Sequence, residues 1–298
     1  MNILPLFLAI FSLIPSLAAS TESPVCQPIE PTVKVAIGES VEIMSVEDYV
    51  AGVVAGEVPY TFEGEAMKAQ AVAARTYLYY RLENGSPHKD ADICTDASHC
   101  CAFMSEDELV RRYGEEYAHR TMEKARGAAE STYGEILTYK GSPIQAVWHS
   151  SSDGYTEDSG NIWLASLPYL SSVSTPERAE TYAVSFTLAE VKSRLRGAGY
   201  RYDGKTNLTQ YNNETGRCDA LCFGNAEVSG NTARKLFGLK STDFTAGYHG
   251  GRLYFLVRGY GHGVGMSQHG ANVMAKGGSS YDEILSHYYK GSELSDIR

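Results

Sequence analysis

Three stretches of this 298-residue chain carry side chains that packing alone would not require. The first is Gly56-Glu57-Val58-Pro59, followed by a long Ala-rich run containing Gln70 and Arg75. The second is Trp148-His149-Ser150-Ser151-Ser152. The third runs from Gly259 to Ala271, where glycines alternate with other residues and His262 and Gln268 are the candidate cleft residues, with His269 read as a helix-surface residue. Glu57 is suited to general acid/base work: a carboxyl beside a proline corner, flanked by Val54 and Val58, sits where partial desolvation would let it hold a proton near neutral pH. His149, Ser151 and Ser152 superficially suggest a Ser/His nucleophile, but no GxSxG elbow surrounds them. They read instead as donors and acceptors for a polar ligand, with local turn bonding as the alternative. The alternating glycines place backbone tightly against a neighbour and let His262 and Gln268 approach a ligand. They lack the GxGxxG order of a dinucleotide loop. Gln70 and Arg75 either bind a ligand directly or brace the Glu57 corner.

A fourth cluster reads His88-x5-Cys94-x4-His99-Cys100. Two thiolates and two imidazoles complete a tetrahedral zinc set, and a full protein set leaves no open position for water, so such a zinc is structural. Cys101 could replace Cys100, and a disulfide with Cys26 or Cys101 is the competing use of these cysteines. Cys218-x3-Cys222 reads as a local disulfide, with two free thiols as the alternative at the same spacing.

The elements that must position these groups follow from periodicity and punctuation. Ser45 with Asp48 caps a short amphipathic helix carrying Val46, Tyr49, Val50 and Val53, which Gly56 ends and Val58-Pro59 keeps from continuing. That leaves Glu57 on a non-helical corner. A second helix spans Glu63 to Asn84, with Met67, Ala71, Ala74 and Leu78 on one stripe and Gly85 and Pro87 as its stop. A charged helical stretch runs to about Ser131, and Glu135–Tyr139 with Ile144–Trp148 reads as a hairpin. Thr187/Glu190 and Ser280/Glu283 are capping boxes, and Phe244–Tyr248 with Leu253–Arg258 flank a His249-Gly250-Gly251 hairpin turn. The expected class is α+β, with helices and antiparallel hairpins around a substrate cleft.

A content of 43% hydrophobic and 21% charged residues is enough to bury one large core or two modest ones. The net charge of −10 sets the overall field against nucleic-acid phosphates, so no nucleic acid is expected as a partner. At the N-terminus Ile3 to Ala19 is an apolar run that reads as an export segment over residues 1–20. Small residues Ala18, Ala19 and Ser20 fit a cleavage site, yet no Lys or Arg precedes the run and its length also meets the lower limit of a membrane helix. A cleaved signal and a retained anchor both stand. Residues 21–32 read as a linker and 33–298 as a single catalytic domain, placed outside the cytoplasmic membrane.

The motifs together resemble the SpoIID/LytB family, most specifically through Lys68-Ala69-Gln70-Ala71-Val72-Ala73-Ala74-Arg75-Thr76 and Gly261-His262-Gly263-Val264-Gly265-Met266-Ser267-Gln268. The resemblance runs from about Val33 to the C-terminus and includes Ile284-Leu285-Ser286-His287-Tyr288-Tyr289. It implies a lytic transglycosylase that cuts peptide-stripped peptidoglycan strands during the engulfment step of sporulation, in the space between mother cell and forespore. It implies Glu57 as catalytic residue, and it supports a metal loop after the long helix. Expected partners are glycan strands, a cell-wall amidase or endopeptidase, and a membrane partner of the engulfment machinery. The chemistry is compatible: ordinary glycoside hydrolysis takes two carboxylates, whereas attack by the muramyl C6 hydroxyl on its own anomeric carbon takes one acid/base and leaves a 1,6-anhydro sugar. Two rival readings are a non-catalytic enhancer of an amidase, also described in this family, and a zinc amidase built on the Cys/His loop. Four protein ligands without a general-base Glu beside them speak against the second.

Overall fold

The computed structural model describes residues 30–163 and 165–297. The expected export segment and residues 21–29 of the expected linker lie outside them. The last linker position, Thr32, already starts a strand. In chain order the elements begin with strands β1 (Thr32–Ile37) and β2 (Ser40–Ser45) and helices α1 (Val46–Glu57) and α2 (Gly64–Asn84). Next come β3 (Ile93–Cys94), α3 (Glu106–Tyr113), α4 (Glu115–Ser131), β4 (Glu135–Tyr139), β5 (Ser142–Pro143), β6 (Trp148–His149) and α5 (Ser159–Ile162). A second run follows as β7 (Thr181–Thr187), α6 (Leu188–Gly197), β8 (Leu208–Asn212), β9 (Cys218–Phe223), β10 (Ala226–Ser229) and α7 (Gly230–Phe237). The chain closes with β11 (Phe244–His249), β12 (Arg252–Arg258), β13 (Met266–Ser267), α8 (Gln268–Lys276), α9 (Tyr281–Tyr288) and β14 (Glu293–Asp296). The class is α+β. Most strand pairs are antiparallel, and the two parallel ones, β1·β3 and β6·β13, are only two residues long.

Two cores hold these elements. The first forms around α2, whose residues from Ala66 to Leu78 are nearly all buried because α1, α4, α8, α9 and β4 surround the helix. Its alanines are what make this possible: a methyl side chain lets several backbones approach one helix at once. Arg75, fully buried in this core, donates to Glu47, to the carbonyls of Ala129 (3.0 Å) and Glu135 (3.1 Å), and thereby ties α1, α2, α4 and β4 together. The second core lies between the β7-β12-β11 and β8-β9-β10 sheets, covered by α6 and α7. Phe237 is its centre, with ring centroids 5.1 Å from Phe186, 5.7 Å from Phe223 and 5.0 Å from Phe255. Among the described residues no helix is long and apolar enough to cross a membrane.

Local rules explain the helix ends. The Ser45 hydroxyl accepts the Asp48 N–H at 3.0 Å, and both expected capping boxes form. Gly56 does not end α1, however; Glu57 is the last helical residue and Val58, extended before Pro59, is the stop. Gly56 has another reason to lack a side chain. A Cβ there would lie 2.8 Å from the Phe103 backbone nitrogen, and one at Gly52 would lie 2.1 Å from the Phe103 ring. The two glycines are a landing strip for the segment after the Cys/His loop.

Two further expectations are corrected. The hairpin is tighter and shorter than the expected one: Ser142 and Pro143, expected in the turn, pair with Tyr139 and Thr138, and the returning strand stops there. The chain then bends through Ile144–Val147, and Trp148-His149 pairs with Met266-Ser267 instead. Cys218 and Cys222 are free thiols. Both lie on β9, where a rise of about 3.3 Å per residue separates residues four apart by about 13 Å, far beyond the ~7 Å limit for a disulfide.

Candidate active site

Glu57 emerges from the C-terminal turn of α1 with both carboxylate oxygens held. Oε1 accepts the backbone N–H of Ala102 at 2.8 Å, and Oε2 accepts the side-chain amide of Gln268 at 3.0 Å. The same Gln268 nitrogen also donates to Gln70 Oε1 at 3.3 Å, so the buried Gln70 stands one layer behind and brackets the amide. Each donor reaches Glu57 by a different device. Ala102 follows the Cys/His loop and is brought in by the packing of Phe103 on Gly52 and Gly56. Gln268 is the first residue of α8, capped by Ser267, whose hydroxyl accepts the Gly270 N–H at 3.2 Å.

The segment before α8 is locked to residues 147–152 by contacts that exclude side chains. Gly261 and Gly265 have φ of +116° and +72°, and a Cβ on them would lie 2.6 Å from His149 Cβ and 2.1 Å from the Val147 carbonyl oxygen. Ser151 exchanges two backbone hydrogen bonds with Tyr260, at 3.0 and 2.9 Å. Behind this seam lies a buried polar chain. Arg217 donates to Ser152 Oγ (2.9 Å), that hydroxyl donates to His149 Nε2 (2.6 Å), and His149 Nδ1 donates to the Val264 carbonyl (3.2 Å). The tautomer follows from the carbonyl, which only accepts. Burial, with His262 and Arg217 nearby, pushes the His149 pKa well below the usual histidine value, so the ring is neutral. Ser152 is fully buried, and it is this burial, not its hydrogen bond to His149, that keeps its hydroxyl from reaching a ligand.

An open pocket of ≈ 490 Å³ lies over Glu57. Of the catalytic and ligand-binding candidates singled out in the sequence, Glu57, His149, His262 and Gln268 line it. Gln70 stands behind Gln268, Ser151 and Ser152 belong to the seam and its buried chain, and Arg75 braces the helices. Burial lowers the His262 pKa to about 4, with Arg234 adding to the effect; the ring is neutral and its Nδ1 accepts the Val264 N–H at 3.1 Å. Aromatic faces come from Tyr77, Trp148 and Tyr260, and Arg234 of α7 is the one lysine or arginine among the described lining residues. Sequence reading did not single these four out. Tyr77 and Trp148 sit inside or beside quoted motifs, whereas nothing local distinguishes Arg234 from a surface residue of an amphipathic helix.

Glu57 is also the one carboxylate among the described lining residues. Two other buried carboxylates lie nearby in the fold and are spent on structure. Glu157 accepts from Asn161, Asn213 and Thr215, each at 2.8 Å, and Glu177 accepts from the Ser152 N–H (2.9 Å), Thr175 and Ser267.

Cys100 of the Cys/His cluster and the adjacent Cys101 flank the pocket. The ligand atoms of His88, Cys94, His99 and Cys100 all lie within 4.8 Å of one another. His99 Nδ1 is 3.5 Å from Cys94 Sγ and 3.3 Å from Cys100 Sγ, and Cys100 Sγ is 3.6 Å from His88 Nε2. A tetrahedral zinc with bonds of about 2.3 Å to sulfur and about 2.0 Å to nitrogen has S···N edges of about 3.5 Å. The four residues therefore fit such an ion. Cys101 takes no part; it is buried against the first core.

Comparison with known proteins adds independent information. Residues 38–139 match the family model described as SpoIID, stage II sporulation protein. Stage II sporulation protein D of Bacillus subtilis (strain 168) is 38% identical over 92% of this chain and 80% of that protein. The protein of the same name from Bacillus amyloliquefaciens is 36% identical over the same shares. A protein named amidase enhancer, from Bacillus subtilis, is 28% identical over 82% of this chain and 40% of its own length.

Proposed function

This chain belongs to the stage II sporulation protein D family, and from that premise we propose that it is a lytic transglycosylase cleaving peptide-stripped peptidoglycan strands outside the cytoplasmic membrane. The observation that carries the reading is the single carboxylate of the pocket. Neither hydrolytic arrangement, with two carboxyls about 5 or about 6.5–9.5 Å apart, has its second member among the described lining residues.

Glu57 then serves twice. As the acid it gives its proton to the glycosidic oxygen while the bond to the muramyl anomeric carbon breaks. As the resulting carboxylate it takes the proton of the C6 hydroxyl that closes on the same carbon, leaving a 1,6-anhydro end and a regenerated acid. Ala102 and Gln268 hold the carboxyl in one orientation for both steps, which matters because a displacement of about 1 Å costs on the order of a hundredfold in rate. Tyr77, Trp148 and Tyr260 offer flat apolar faces to sugar rings. His88, Cys94, His99 and Cys100 would hold a structural zinc, closed to water, whose effect on the site is to fix the start of the segment that ends at Ala102. Stripping of peptides places a cell-wall amidase upstream, with a membrane partner holding the enzyme at its wall.

The relative named amidase enhancer supports a second reading, in which the pocket binds strands without cutting them. Incubation with peptide-free strands separates the two. Wild-type protein is expected to shorten the strands and Glu57→Gln to bind them intact; unchanged strand length with wild-type protein would favour the enhancer.

A further inference from the structure

Arg234 has an unusual position for a cation on an acidic protein. It lies on α7, in the second core's half of the fold, yet lines the pocket over Glu57, which lies on α1 of the first. Burial pulls its pKa down, with only the tyrosines Tyr260 and Tyr182 acting in the opposite direction. No carboxylate of the described residues pairs with it, in contrast to buried Arg75 and Arg217, which have Glu47 and Glu157. Its placement is nonetheless fixed. The Leu239 N–H donates to the Arg234 carbonyl at 2.9 Å while Arg234 Nε donates to the Leu239 carbonyl at 3.3 Å, across the left-handed Gly238 that ends α7. The following Lys240 accepts the Gly261 N–H at 2.9 Å, which ties this turn to the glycine seam. With Nε used, the two terminal nitrogens of the guanidinium remain for a ligand. The neighbouring His262 and His149 are neutral, so among the lining residues the positive charge is Arg234's alone.

A half-desolvated guanidinium with no carboxylate to balance its charge is a costly group unless a ligand anion completes it. We infer that Arg234 recognises the free 3-O-lactyl carboxylate of N-acetylmuramic acid and so makes the pocket selective for strands without stem peptides. This rests on the glycan-strand reading above. The chemistry matches because that carboxyl is free only where no peptide is attached; in substituted strands it is an amide, uncharged and extended by a chain. A planar fork facing a carboxylate supplies two parallel charge-assisted hydrogen bonds, and an amide can supply neither the charge nor both acceptors.

The test measures binding without turnover, in the Glu57→Gln background. Oligomers of N-acetylglucosamine and N-acetylmuramic acid are offered with free carboxyls and with the same carboxyls converted to methylamides. Tighter binding of the free form by about tenfold or more is expected, weakening with salt. Adding Arg234→Gln is expected to bring both forms to the methylamide affinity, and Arg234→Lys to keep part of the preference because the charge remains without the fork. Circular dichroism and melting of each variant show that the fold is retained, and the lysine variant carries the test if the glutamine one does not fold. Equal affinity for the two forms in the Arg234 parent, or an undiminished preference after Arg234→Gln, overturns the inference. Binding of neither form would instead sink the glycan-strand reading itself, and binding without any cleavage by the wild-type chain would sink only the catalytic one.

Discussion

The Cys/His loop and the glycine-rich seam deliver one hydrogen-bond donor each to the same carboxyl, by opposite means. The loop, residues 88–101, contains one two-residue strand and is gathered by four side chains whose donor atoms converge on a point. The seam, residues 259–267, is held by the absence of side chains, with backbone laid directly on Val147 and His149. On the zinc reading proposed above, one is organised by ligand chemistry, whereas the other is organised by steric exclusion. Glu57 therefore depends on two structures that should fail under different insults, one to chelation and one to a single added methyl.

The largest effect belongs to the seam. Gly265→Ala places a Cβ 2.1 Å from the Val147 carbonyl oxygen, at a φ of +72°, and neither backbone can retreat without breaking the β6·β13 pair. A loss of about 4 kcal/mol or more is expected, read as a melting point about 10 °C lower or as failure to accumulate soluble protein. Ordinary stability in this variant would show that the seam is looser than its contacts imply. The loop should give a smaller and separable effect. Cys94→Ser, or chelation of the wild type, is expected to remove about one zinc per chain, lower the melting point by several degrees and reduce cleavage while glycan binding at the Gln268 side persists. Protein prepared without chelator that contains no zinc would contradict the loop half of the comparison.

What the sequence made legible separates along the same line. Caps, breaks and hairpins are local events, and Ser45, Thr187, Ser280 and the His249-Gly250-Gly251 turn all announce them within a few residues. The four metal-type residues and Glu57 are legible because their chemistry is carried by residue type and spacing. Contacts between distant segments are not. Gly56 looks like a helix stop and is in fact a contact with Phe103; Trp148-His149 looks like a hairpin arm and pairs with residues more than a hundred positions away. The polar residues of the quoted motifs divide by depth, which sequence does not report: Gln268 touches Glu57, Gln70 stands behind it, and Arg75 and Ser152 are sealed inside. Arg234 was invisible because what marks it is the pocket it enters from another core.

Smaller effects sharpen the comparison further. Gln268→Ala removes the seam's donor without adding bulk, so turnover should fall about tenfold to a hundredfold while the melting point changes by only a few degrees. A large loss of stability would mean that Gln268 is part of the packing and not a positioning group. The smallest effect is that of pH. His149 and His262 have folded-state pKa values below the ordinary 6.5, the latter about 4, so the unfolded chain binds more protons in between. Stability is complete above pH 6.5 and should fall as pH drops towards 4, each ring contributing a slope of at most about 1.4 kcal/mol per pH unit. His149→Gln should flatten the melting-point profile over that interval, and an unchanged profile would remove this histidine as its source.

The account's central claim is that one carboxyl, held from both sides, does all the proton transfer and that no water enters the product. Its most direct test is to digest peptide-free glycan with wild-type protein and with Glu57→Gln and to weigh the new ends. Wild-type protein is expected to yield 1,6-anhydro-N-acetylmuramic acid ends and Glu57→Gln almost none. Reducing ends about 18 Da heavier, the mass of the added water, would show hydrolysis and require a second catalytic group.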